Sequence, residues 1–253
     1  MKKNIRLCFA IGCVSLLFSE GLRAQTAADT GKSEQMAIAN AKAVFDNAVG
    51  EQSALYNGPA YFFYNPTVLH GTPYFLQKTT STGNVFYDGV EYKGIQLLYD
   101  LYKDELVTPL YDNTSYIALI KSAVQNFDLP GHHFININAD TLTNNTVIPS
   151  GYYDELYHGR LQVLERTTIS VKQVNSSTGT MEAFSTFAQP VQSFFIRKNN
   201  VYYSIGSEGS LLDVLKDQKK QVKNFIKTIK IKFRKDPGAA MAAIAAFYDR
   251  LSN

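Results

Sequence analysis

The stretch from Val191 to Leu251 sets the tightest limits on what this chain can become. Apolar residues alternate through VQSFFIRKNNVYYSIG, then recur every three or four positions through SLLDVLKDQKKQVKNFIKTI and DPGAAMAAIAAFYDRL. Alternation suits a half-buried strand and the longer period an amphipathic helix, so the stretch predicts a hairpin running into helices that cover it. Asn199-Asn200 supplies residues that tolerate the positive φ of a tight hairpin turn. Ser207 or Ser210 is placed to cap a helix beginning near Leu211, with Asp213 three residues after Ser210 as in a capping box. Leu211, Leu215, Val222, Phe225, Ile226 and Ile229 form one apolar stripe with a break near Asp217. Asp236 followed by Pro237 signals an N-cap and a first helical residue, and the alanines after it make a slender last helix that can approach its support closely.

The other end of the chain speaks to compartment. Lys2, Lys3 and Arg6 precede an apolar run from Leu7 to Phe18, too short to span a bilayer, and Leu22-Arg23-Ala24 offers a cleavage site. Residues 1–24 therefore predict an export signal. A lipoprotein signal is the rival, since Ala10-Ile11-Gly12-Cys13 loosely resembles a lipobox, but a cut there falls inside the apolar run. Cys8 and Cys13 both leave with residues 1–24, so the mature chain has no disulfide and no cysteine-based site. Of the 25 basic and 22 acidic residues, Lys2, Lys3, Arg6, Arg23 and Glu20 go too, which leaves equal numbers of each sign. The whole-chain pI of about 8.6 is thus no argument for nucleic acid. No later apolar run reaches the length of a membrane helix, so no transmembrane segment is expected after cleavage.

Residues 25–32 read as a flexible leader and Ser33 to Val49 as a helix, with Ile38, Ala41, Phe45 and Ala48 on one face. Glu51 to Pro73 reads as turns and short edge strands, its YFFY aromatics covering the core. From Gly83 the period is two: GNVFYDGVEYKG predicts short strands punctuated by Asp88-Gly89 and Lys93-Gly94, followed by Ile95 to Leu101 and Leu106 to Tyr111. Ser115 to Leu129 fits a helix or a strand. Phe134 to Ile137 is a short strand, Gly151 to Val174 a long strand-like run, and Phe184 to Gln189 begins another. Phe86-Tyr87-Asp88, Tyr92-Lys93-Gly94 and Ile95 to Leu98 echo Tyr152-Tyr153-Asp154, Tyr157-His158-Gly159 and Leu161 to Leu164, in the manner of a repeated hairpin or of common strand grammar.

YYDELYHGRLQVLERT, FFIRKNNVYYSIGS, LLDVLKDQKKQVKNFIKTIKIKFRKDP and AAFYDRL together resemble a widespread group of secreted proteins of Bacteroidota-type bacteria with no assigned activity. The resemblance is best after Gly151 and looser over Gly83 to Pro109. It implies an exported, strand-rich protein with C-terminal helices and carries over no catalytic residue.

Little in the sequence points to chemistry. His132-His133 near Asp128 and Asp140 lacks the spaced third and fourth ligands of a metal site, and reads as loop histidines. Asp154, Glu155 and His158 offer acid–base groups, beside a turn glycine where charge is expected for solvation alone. No nucleophile elbow, zinc-helix, phosphate-loop or dinucleotide motif is present, so neither cofactor nor metal is expected. Gly206, Glu208 and Gly209 precede a helix, but the glutamate argues against an anion there. Asn113, Asn144 and Asn175 begin N-x-Ser/Thr triplets of little weight in bacterial export.

The sharpest surface feature is basic. Lys216, Lys220, Lys223, Lys227 and Lys230 recur at three and four residues and predict one helix face, extended by Lys219, Lys232, Arg234 and Lys235. Residues 207–236 carry a net +5 and the rest of the mature chain −5, so this face either steers the molecule to an anionic surface, meets the protein's own acidic half, or is simply solvated. The expectation is an α+β protein: an N-terminal helix, a mainly antiparallel sheet over 83–206 that can curl or form a half-barrel, and two or three helices over 207–253, in a single domain spanning 33–253. Its expected role is that of an exported, non-catalytic envelope or periplasmic protein, in the periplasm, at the outer membrane or secreted, that binds an envelope protein or lipid. An exported hydrolase with a carboxylate or histidine site is the alternative.

Overall fold

A computed structural model of the protein describes residues 53–76, 78–143, 147–174, 184–229 and 232–251, with isolated positions at 34, 36–38, 40 and 41. The chain divides into two units, 1–50 and 51–253. In the first, the described positions are helical and exposed; the export signal, the leader and most of the expected helix over 33–49 lie outside the described residues.

The described residues of the second unit form a strand-rich body with thirteen strands: β1 Leu69–His70, β2 Ser81–Tyr87, β3 Val90–Asp100, β4 Glu105–Pro109, β5 Tyr116–Ala118, β6 Val124–Leu129, β7 His132–Ile137, β8 Gly151–His158, β9 Leu161–Thr168, β10 Val171–Val174, β11 Phe184–Phe187, β12 Val191–Lys198 and β13 Val201–Ile205. Helices follow: α1 Glu208–Val214, α2 Lys219–Thr228 and α3 Pro237–Leu251. Ten strands form one antiparallel sheet in the order β13-β12-β9-β8-β7-β6-β2-β3-β4-β5, while β1, β11 and β10 make a small side sheet in which β1 runs parallel to β11. Short polar turns join most neighbours, which is why antiparallel pairing was legible.

The large sheet is open, with β13 and β5 at its edges, and strongly curled. Tyr99 on β3 lies four strands from β8, about 19 Å in a flat sheet at the usual strand spacing. Its ring centroid is nevertheless 5.6 Å from Tyr152 on β8, 5.3 Å from Phe134 on β7 and 5.6 Å from Phe127 on β6. The inner face thus closes around Tyr99, with Leu55, Tyr64, Leu69, Phe75 and Phe187 packed over the opening. Farther along the same face, Leu161, Val163, Phe194, Ile196 and Ile205 carry the helices through Leu211, Leu215, Val222, Met241 and Ile244. Smaller clusters back the outer face, around Tyr153, Leu164 and Phe195 at one end and around Leu98 and Val107 at the other.

Several expectations change. Ser115 to Leu129 resolves as strands β5 and β6 around a 3-10 turn at Lys121–Ala123. The hairpin echo fails in register. Asp88-Gly89 is the β2–β3 turn, whereas its counterpart Asp154-Glu155 lies within β8; Gly94 lies inside β3, whereas Gly159 sits at the β8–β9 turn. Of the YFFY aromatics Tyr61 is buried, but Phe62 and Phe63 are 77 % and 47 % exposed.

Candidate functional site

The helical layer is built by local rules and then pinned by side chains from the sheet. Ser207 is the N-cap of α1: its Oγ accepts from Ser210 N, and Ser210 Oγ accepts from Ser207 N, a reciprocal capping box. The helix therefore starts at Glu208, three residues earlier than expected, because Ser210 is the third helical residue and not the cap. Asp236 caps α3 as expected, accepting from Ala239 N at 2.9 Å.

The apolar stripe breaks where foreseen, in a 3-10 turn at Lys216–Gln218. Lys198 at the end of β12 explains the break. Its Nζ donates to the Val214 carbonyl at the end of α1 and to Asp217 Oδ1, and Tyr248 of α3 donates to Asp217 Oδ2. Burial pulls the Lys198 ammonium down, but its bonds to Asp217 and Tyr248 outweigh this and hold it raised. Burial pushes the Asp217 carboxyl up, and the bonds from Lys198 and Tyr248 bring it below its ordinary value.

Beyond this turn, Lys220, Lys223 and Lys227 lie on the side of α2 opposite Val222, Phe225 and Ile226, which face the sheet and α3. All three are exposed, as is Lys216, which the 3-10 turn takes off the helix. Lys219 pairs with Asp213 at 2.8 Å, whereas Lys216, Lys220, Lys223 and Lys227 make no ion pair with any described carboxylate. Lys230 lies outside the described residues. The predicted face is thus a three-lysine stripe on α2 with Lys216 beside it in sequence.

The acid–base candidates separate into pairs. His132 and His133 belong to strand β7, not to a loop: pairing with Leu129 and Asp128 of β6 continues the strand through both. His132 Nδ1 lies 2.5 Å from Asp154 Oδ2, and His133 Nδ1 lies 2.6 Å from Asp128 Oδ1. Glu155, next along β8, accepts from Gln162 Nε2 at 2.5 Å and lies 2.7 Å from His158 Nδ1. No three of His, Cys, Asp and Glu come together among the described residues to hold a metal ion.

One carboxylate escaped sequence reading. Glu165 on β9 lies directly opposite Asp154. Its Oε1 accepts from Thr167 and from Gln192 Nε2 on β12. His132, Asp154, Glu165 and Gln192 thus form a polar row across four strands, between the aromatic interior and the helical layer. Burial raises the Asp154 carboxyl against the lowering influence of His132, and burial raises that of Glu165 with Asp154 adding to it. The only sequence signal was the register of ERTT against YYDE, which a single chain does not reveal. Within the row, Asp154 and the His132 imidazole are close enough to share a proton. The row is roofed, however: the Phe75 ring packs edge-on against His132 at 4.9 Å, and Gly238 at the start of α3 sits over Glu165, where an added Cβ would come within 3.2 Å of Oε2.

Cavities lie elsewhere. One of about 560 Å³ opens between the β12–β13 hairpin and the starts of α1 and α3, and none of His132, His133, Asp154, Glu155 or His158 lines it. Another, about 310 Å³ at the β8–β9 turn, has His158 alone of those five on its wall. Compared with known protein families, with curated proteins and with solved structures, the chain finds no match.

Proposed function

We propose that this is an exported, non-catalytic protein of the bacterial cell envelope or periplasm that binds an anionic partner surface through the lysine stripe of α2. One observation carries the reading: Lys216, Lys220, Lys223 and Lys227 are exposed and unmatched by any described carboxylate, while Lys198 and Lys219 nearby are paired. A protein whose acidic half neutralised its basic helix would bury such lysines against aspartate and glutamate. Export is supported by the character of residues 1–24, and the family expectation by the resemblance after Gly151. No helix among the described residues is long and apolar enough to cross a membrane.

The test is flotation of the mature protein with vesicles containing anionic lipid, against neutral vesicles, over a salt series. Binding should fall with salt as exposed charge is screened. Replacing Lys220, Lys223 and Lys227 with Gln should abolish it. Wild-type protein that never floats with anionic vesicles sinks the membrane form of the reading.

A second reading, an exported hydrolase, draws on the opposed carboxyls of Asp154 and Glu165 beside His132. It requires the roof over that row to open. Turnover of ester, glycoside or peptide substrates that disappears in both Asp154→Asn and Glu165→Gln would move the conclusion to it.

A further inference from the structure

The cavity of about 560 Å³ falls in the usual size range of small-molecule sites. Its floor is the last rung of the β12–β13 hairpin, where Phe194 and Ile205 are register partners facing the helices. Phe233 and Pro237 continue the apolar surface on the wall formed by the approach to α3. Exposed Gln192 joins the cavity to the polar row through its bond to Glu165. Arg234 also lines it, exposed and making no ion pair with a described carboxylate, and exposed Lys232 and Lys235 flank it in the chain. Against these cations stand Glu208, the one carboxylate on the wall, and Asp236, whose carboxylate is engaged in capping α3. The lining is therefore part apolar, through Phe233, Pro237 and the edges of Phe194 and Ile205, and part polar, with Ser193, Ser204 and Ser207, one cation, Arg234, and one carboxylate, Glu208.

We infer that this cavity binds a single-chain amphiphile with an anionic head, its hydrocarbon against Phe194, Ile205 and Phe233 and its head on Arg234. The guanidinium offers forked donors that suit a carboxylate or phosphate, and Phe233 with the edges of Phe194 and Ile205 offers an apolar surface on the same lining. This site is separate from the lysine stripe, and either proposal stands if the other fails. The ligand chemistry has two sources, free fatty acids and monoacyl phospholipids.

Calorimetric titration below the micellar concentration separates them, with dodecanoate and a monoacyl phosphatidylglycerol as probes and dodecyl maltoside as the uncharged control. Saturable one-to-one binding of at least one anionic probe is expected, roughly tenfold or more tighter than the uncharged control. Arg234→Gln should erase that difference. Gly206→Phe should abolish binding altogether, since a Cβ at this lining residue meets nothing within 4 Å and the ring can enter the space. The triple Lys220, Lys223 and Lys227 to Gln variant should titrate like wild type, and Arg234→Gln should still float with anionic vesicles if the stripe is what holds them. Circular dichroism and an unfolding midpoint serve to check that Gly206→Phe is folded. The inference is overturned if neither anionic probe saturates, if the uncharged probe binds equally well, or if a folded Gly206→Phe protein binds as wild type does.

Discussion

Lys198 Nζ lies 2.5 Å from Asp217 Oδ1, which ties the end of β12 to the turn between α1 and α2. With Tyr248 on the other carboxylate oxygen, three elements distant in sequence meet at one aspartate. The lysine stripe is oriented by this junction, because it fixes where α2 starts.

Asp217→Asn should therefore cost about 1 kcal/mol, the scale of a partly exposed ion pair with an added charged hydrogen bond. The Asp217 carboxyl is depressed, so its contribution is complete above the unfolded value of about 3.9 and fades as pH falls through the lower folded value. The Lys198 ammonium is raised, so its contribution is complete below about 10.4 and is lost as pH rises through the higher folded value. Urea midpoints at pH 3, 7 and 11 should show the variant closest to wild type at the two extremes. A variant as stable as wild type at pH 7 would refute the junction's role.

Asp154 and Glu165 run the other way. Both carboxyls are raised, chiefly by burial, so the fold favours their protonated forms. Their effect on stability is most favourable below the unfolded values near 4 and is lost as pH rises through the folded values. Glu165→Gln should be no less stable than wild type at pH 7, and should lessen the gain in urea midpoint between pH 7 and pH 5. An equal gain in both proteins would show that Glu165 is not the titrating group.

Asp104 anchors a different set of charges. It accepts from Lys121 Nζ at 2.5 Å, from the Tyr99 hydroxyl at 2.7 Å and from Arg166 at 3.5 Å. Asp104→Ala leaves two cations without their carboxylate and should cost about 3 kcal/mol or more. The neighbouring Tyr152 hydroxyl is buried with no partner. Tyr152→Phe should be neutral or stabilising. Thermal unfolding of the two variants side by side checks both, and a large loss in Tyr152→Phe would mean that the hydroxyl is satisfied.

Gly83 on β2 faces the backbone of β6 with no room for a side chain. A Cβ added there would stand 2.0 Å from the Asp128 carbonyl oxygen, a backbone atom that cannot step aside. Gly83→Ala should cost about 2 kcal/mol or more by overpacking, whereas Gly206→Ala, with open space around it, should be near neutral. Comparable unfolding midpoints for the two would contradict this pairing geometry.

Local signals proved legible and long-range ones did not. Asn199 and Asn200 both take positive φ, 51° and 62°, as their chemistry at a tight hairpin demands. Asp236 and Pro237 open α3 as written, and alternation located the sheet. Ser207 and Ser210 both stood as caps, because Ser207, Ser210 and Asp213 repeat at one spacing; backbone geometry selects Ser207 and starts the helix three residues before Leu211. The lysine face was readable from its period, but Lys216 left it when Lys198 drew Asp217 into a turn. Glu165 was invisible for a related reason: its meaning comes from the residue across the strand, and register belongs to the fold.

The rings gathered on Tyr99 carry a temporal implication. Its partners Phe127, Phe134 and Tyr152 lie from 28 to 53 positions farther along the chain. Contacts so distant form slowly, and a ribosome must deliver residue 152 before the aromatic centre can assemble. An emerging polypeptide of this sequence stays threadable for longer than one built from neighbouring helices.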